Sequence, residues 1–219
     1  MNNEELLYIE DAKKRKLYYR FTPAALISNF VPLVVILQDE GRITTPHFEY
    51  KMWNVLTPID NSEDENEDYS FWLGEKGDYF VKDLLQDLIH QISEEYECED
   101  HIYLYGSGIG GYGAILHGIL CKANAVYAHA PQIRLKDIGP KENDLSNFLN
   151  TTDTFPIFYL CGNSNPDESS TKDETAYFAE ACRKNNIKVD LDHCPKVRDN
   201  EQQALQEVLD FLERVISQV

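Results

Sequence analysis

The sequence predicts an α/β fold: one domain, residues 1–219, with a mostly parallel central sheet and helices on both faces. Three observations carry this. Val31–Leu37 is a near-continuous apolar run rich in β-branched residues, the pattern of a parallel strand covered on both sides. From Tyr79 onward, strand-like runs alternate with helical periodicities, as parallel sheets with crossover helices require. Between Tyr103 and Ala114 an apolar run enters a cluster of glycines and leaves as a small-residue helix.

The elements follow in chain order. Leu6 to Glu10 and Lys16 to Phe21 read as short strands joined across the charged Asp11–Arg15 stretch. The Val31–Leu37 strand ends at Gln38-Asp39-Glu40-Gly41. Phe48 to Leu56 alternates loosely and is assigned as the next strand, ending at Thr57-Pro58. Tyr79 to Tyr96 is an amphipathic helix, with Phe80, Leu84, Leu85, Leu88, Ile89 and Ile92 at three- and four-residue steps. His101 to Tyr105 is a strand and Gly110 to Leu120 a helix whose glycines let it lie close to the sheet. Strands are expected at Asn124–His129, Phe155–Cys161 and Ile187–Leu191, and helices at Asp173–Lys184 and Glu201–Ile216.

Composition narrows the function. A net charge of −18 argues against nucleic acid and anionic membrane surfaces, whose charges would repel the chain. The acidic run Asp60–Asp68 reads as a solvated loop; it lacks the glycine and glutamate spacing of a calcium-binding hand. No apolar run approaches the ~18 residues of a membrane span, and the acidic N-terminus has no signal-peptide pattern. Five cysteines without close paired spacing read as free thiols. A cytoplasmic location is therefore expected, with no cofactor and no metal centre. The partner expected is a small ester or a glycan.

The glycine cluster has the layout of a nucleophile elbow, the strand-turn-helix that presents the serine of an α/β-hydrolase. The pattern G-x-S-x-G fits it in one register. Gly106 and Gly110 take the glycine positions and Gly108 falls where the nucleophile belongs. Ser107 is one residue early. Moving the register to use it would place Tyr105 and Ile109 at the glycine positions, so Ser107 is expected to hydrogen-bond within the turn.

Such sites need an acid and a base after later strands. Asp167, in the Asn- and Ser-rich loop after Cys161, is the candidate acid; a turn or helix-cap role is the alternative. Asp173 is the weaker candidate, read as a helix start. His193, after the last strand, is the candidate base. His129 also sits at a strand end and could line the cleft, although a structural role fits it better; His47, His90, His101 and His117 have no supporting context. Oxyanion-binding N–H groups are expected from Ile109 and from the loop at Gln38 or Asp39. Asp39 and Glu40 would oppose an oxyanion there unless they point away. Cys161 and Cys194 fall near the same cleft without an elbow of their own.

Several motifs run collinearly from Val31 to Pro195. They are Pro46-His47-Phe48-Glu49-Tyr50-Lys51-Met52-Trp53, Phe71-Trp72-Leu73-Gly74, the elbow itself, Pro131-Gln132, Asn163 or Asn165 with Asp167, and His193-Cys194-Pro195. In these the chain resembles a bacterial family of α/β-hydrolase-like proteins associated with capsular and other cell-surface polysaccharides. It is more distantly similar to the acyltransferase-like proteins of the accessory secretion system. The resemblance implies an esterase- or acyltransferase-type triad at positions 108, 167 and 193. The chain departs from that pattern at Tyr50, where the family has arginine, and at Gly108, where the family has its second serine. Two functions follow as expectations. One is a serine esterase or acyl-hydrolase fold that has lost its nucleophile; the other is a binding or accessory protein of surface-polysaccharide biosynthesis. A third, unconventional chemistry would have His193 activate water directly.

Overall fold

The computed structural model describes residues 6–38, 47–59, 72–74, 77–136, 138–162, 169–192, 210–211 and 214–215, with the backbone alone at 169–173 and 192. Eight strands form one sheet: β1 (Leu7–Glu10), β2 (Lys16–Thr22), β3 (Leu33–Leu37), β4 (Asn54–Ile59), β5 (Ile102–Ser107), β6 (Ala125–His129), β7 (Ile157–Cys161) and β8 (Val189–Asp192). Their spatial order is β1-β2-β4-β3-β5-β6-β7-β8. β2 pairs antiparallel with both β1 and β4, and every other pairing is parallel. Three helices, α1 (Phe80–Glu95), α2 (Gly108–Leu120) and α3 (Ser169–Lys184), and one short 3₁₀ turn at Leu145–Phe148 complete the described elements.

The apolar pattern explains the layers. β3 is buried at all five positions, as a central parallel strand must be. Alternate side chains reach opposite faces. Leu33, Val35, Leu37, Leu104, Val126, Phe158 and Leu160 join the core built with α1, α2 and α3. Val34, Ile36, Tyr103, Tyr105, Tyr127 and Cys161 join a second core with Trp53, Phe211 and Val215. Both faces are thus covered. Residues 210–211 and 214–215 are helical, and most of the expected last helix lies outside the described residues.

The structure corrects three expectations. The fourth strand is Asn54–Ile59, not Phe48–Leu56. Residues 48–53 instead turn, with the Trp53 N–H on the Tyr50 carbonyl and the Phe48, Tyr50 and Trp53 rings packed together. The strand begins where Asn54 meets Leu33 and runs through Pro58, because parallel pairing with β3 has ended by Leu56 and a missing N–H is tolerated beyond it. α3 begins four residues earlier than expected, at Ser169. The cysteines are not all thiols: Cys98, Cys121 and Cys182 are free, whereas Cys161 is disulfide-bonded. Cys194 lies outside the described residues.

Candidate functional site

The site is organised by the end of β5. Ser107 is extended (φ −126°, ψ 144°), and Gly108 then takes φ +53°, the left-handed region that disfavours side chains, as the first residue of α2. The glycines on either side are fixed by contact. A Cβ on Gly106 would lie 2.0 Å from the Gly110 carbonyl oxygen, and one on Gly110 would lie 2.2 Å from the Leu37 carbonyl oxygen. These are the two glycines of the expected elbow register, and Gly108 stands between them.

The ends of neighbouring strands close on this turn. Leu37 of β3 is in register with Gly106, Ser107 with His129, His129 with Cys161, and Cys161 with Asp192. One polar or sulfur-bearing residue from each of β5, β6, β7 and β8 therefore falls on a single line across the sheet. Beyond β6 the chain turns sharply at Ala130 (φ +41°), whose N–H donates to the Cys161 carbonyl at 2.6 Å. The Gln132 N–H then donates to the Gly108 carbonyl at 3.1 Å. The Glu174 carboxylate on α3 accepts from the N–H groups of Ile133 and Arg134 at 2.8 and 3.3 Å, holding that segment in place.

The predicted residues divide as follows. Gly108, Ser107, Ile109, Gln38 and His129 are described, and all stand at the C-terminal ends of the parallel strands or the start of α2. Asp39, Asp167 and His193 lie outside the described residues. The Ile109 N–H belongs to the first turn of α2, the end of the helix where the dipole favours negative charge. Ser107 is half-buried, and its hydroxyl does not cap α2. The described residues contain no group of three His, Cys, Asp or Glu placed to hold a metal ion, and no helix among them is long and apolar enough to cross a membrane.

Two histidines without sequence context have defined places. His47 bridges the Thr22 and Thr57 hydroxyls at 2.9 and 2.8 Å. His117 is wholly buried on α2, its Nε2–H donating to the Trp72 carbonyl at 3.1 Å while Nδ1 accepts from the Gln86 amide at 2.7 Å. Burial pushes its imidazole down to about 4. Lone histidines give no such signal in sequence, because the partners come from elements far along the chain.

A sheet of this order, with a glycine elbow between its fifth strand and the following helix, defines an α/β-hydrolase-like fold. Comparison with solved structures agrees. The chain is similar to the capsule O-acetyltransferase of Neisseria meningitidis serogroup A, with TM-score 0.69 and 16% identity over 99% of this chain and 96% of that one. It is similar to S-formylglutathione hydrolase from Staphylococcus aureus, with TM-score 0.72 and 10% identity over 97% and 98% of the two chains. Thermogutta terrifontis esterase 2 matches with TM-score 0.68 and 15% identity over 98% and 95%. Identities this low establish the fold alone. No family model matches the chain, and no curated protein matches it.

Proposed function

We propose that this protein is an α/β-hydrolase-fold member of the serine esterase and acyl-transfer type in which glycine occupies the nucleophile position. Its ancestral chemistry is ester hydrolysis or acyl transfer on a glycan. The observation that carries this is the elbow: a residue at φ +53° between two glycines that contact permits nothing larger. In the working form of such a site, a serine at 108 attacks the ester carbonyl and His193 takes its proton. Asp167 orients His193, and the N–H groups of Ile109 and Gln38 receive the oxyanion. With Gly108 there is no oxygen to acylate. Covalent turnover would fall by roughly 10³–10⁶ from that of a serine-bearing site. The similarity in fold to solved esterases and to a capsule O-acetyltransferase supports ester hydrolysis or acyl transfer as the reaction class.

A fluorophosphonate probe tests this. The chain as it stands is expected to remain unlabelled, and Gly108→Ser is expected to become labelled and to cleave a p-nitrophenyl ester. Labelling of the unaltered chain at Ser107 would overturn the register. A folded Gly108→Ser chain that stays inert would favour the second reading, a binding or accessory protein of surface-polysaccharide biosynthesis that keeps the cleft without the triad geometry.

A further inference from the structure

The opposite end of the sheet carries an exposed apolar tip. In the loop between β2 and β3, Leu26, Ile27 and Phe30 are 68%, 73% and 79% exposed, and Met52 before β4 is 57% exposed. Backbone contacts bring the two segments together: the Ala25 N–H donates to the Lys51 carbonyl, and the Ala24 N–H to the Asn54 side chain, both at 2.9 Å. Large apolar side chains grouped this way on a soluble surface mark an interaction site.

An acidic run lies beside the tip. Glu94, Glu95, Glu97, Glu99 and Asp100 are all exposed. The same Asn54 reaches Cys98 in the middle of that run, and the Leu33 N–H bonds the carbonyl of His101 at its end. Glu94 has His90 beside it. The carboxylates of Glu95, Glu97, Glu99 and Asp100 are in no ion pair among the described residues, while Lys51 supplies a single cation next to Met52. The surface thus joins apolar anchors to unneutralised negative charge.

We infer that this tip docks a cationic amphipathic segment of another protein, one that presents an apolar face flanked by Lys or Arg. Charge complementarity selects that occupant. A second copy would set acidic run against acidic run on a chain already at −18. An anionic membrane would be repelled in the same way. The tip lies at the N-terminal ends of β3 and β4 and the elbow at the C-terminal ends, so a docked partner leaves the cleft open.

Fluorescence anisotropy with a labelled amphipathic peptide of leucine and lysine tests the inference. Binding is expected, weakened by salt, and absent with a leucine and glutamate peptide. Ile27→Ser with Phe30→Ser should weaken it by about tenfold or more, because hot-spot anchors dominate such contacts. Glu97→Gln, Glu99→Gln and Asp100→Asn together should weaken it and flatten the salt dependence. Unchanged melting temperatures would show that the surface variants remain folded. Equal binding by the unaltered chain and the Ile27/Phe30 variant would overturn the inference. So would a dimer in light scattering that the same variant dissolves, or binding of phosphatidylcholine vesicles that the same variant abolishes.

Discussion

Gly110 lies against Leu37 so closely that a Cβ on the first would sit 2.2 Å from the carbonyl oxygen of the second. That contact ties the helix after the elbow to the end of β3, where the second oxyanion donor is proposed. Gly110→Ala cannot be absorbed by a rotamer change, because both partners are backbone. A loss of about 3 kcal/mol or more is expected in urea denaturation, with the variant's cleft displaced if it folds at all.

Gly108 differs in kind. Its left-handed φ of +53° makes a side chain costly without forbidding it. Gly108→Ser is expected to lower stability by about 1–2 kcal/mol. Gly108→Asn should cost less than Gly108→Ala, since asparagine enters this region more readily. The order of the three denaturation midpoints checks the conformation independently of any activity.

His117 makes stability fall in acid. Its ordinary value is 6.5 and burial holds it near 4 in the fold, so between those values the unfolded chain binds a proton that the folded chain does not. Its contribution is fully present above about 6.5 and declines as the pH drops toward 4, by about 3 kcal/mol in all. Protonation would put a second N–H against the Gln86 amide donor. His117→Gln should be less stable at neutral pH but show a shallower decline over this range. Parallel curves for the two proteins would refute the assignment.

Tyr112 fastens the segment after β6 to α2. Its hydroxyl donates to the Glu142 carbonyl at 2.6 Å in the interior. Tyr112→Phe leaves that carbonyl without its buried donor, and a loss of about 1–3 kcal/mol is expected. Hydrogen exchange should quicken at Leu135 and Leu145, whose N–H groups pair within the same segment.

The thiols give a separate check. Burial pushes the Cys98 thiol up to about 11 and the Cys182 thiol up to about 12, so both should resist alkylation in the native protein at pH 8. After denaturation without reductant, three thiols should react, matching Cys98, Cys121 and Cys182. After reduction, all five cysteines should react. Five before reduction would show that Cys161 is not bonded in solution.

The sheet was legible where burial leaves an unbroken apolar record, as in β3 and β5, and where period separates the faces, as in α1. It was less legible at β4, where a cluster of aromatics mimics a strand until Asn54 meets a partner. The cysteine reading failed for a related reason: spacing along the chain does not report which sulfur meets another after folding. The close approaches at Gly106 and Gly110 were readable because glycine spacing encodes such contact directly. The registers that line up Ser107, His129 and Cys161, and the bond from Gln132 to Gly108, depend on strand order and left no local mark.

That last bond has a broader consequence. Among the described residues, main-chain groups meet the turn on two sides: the Leu37 carbonyl lies against Gly110, and the Gln132 N–H donates to the Gly108 carbonyl. Its shape is therefore indifferent to what position 108 carries, within the cost of one unfavourable dihedral. Glycine and serine codons can differ by a single base. A scaffold built this way can exchange the residue at this one position without being rebuilt.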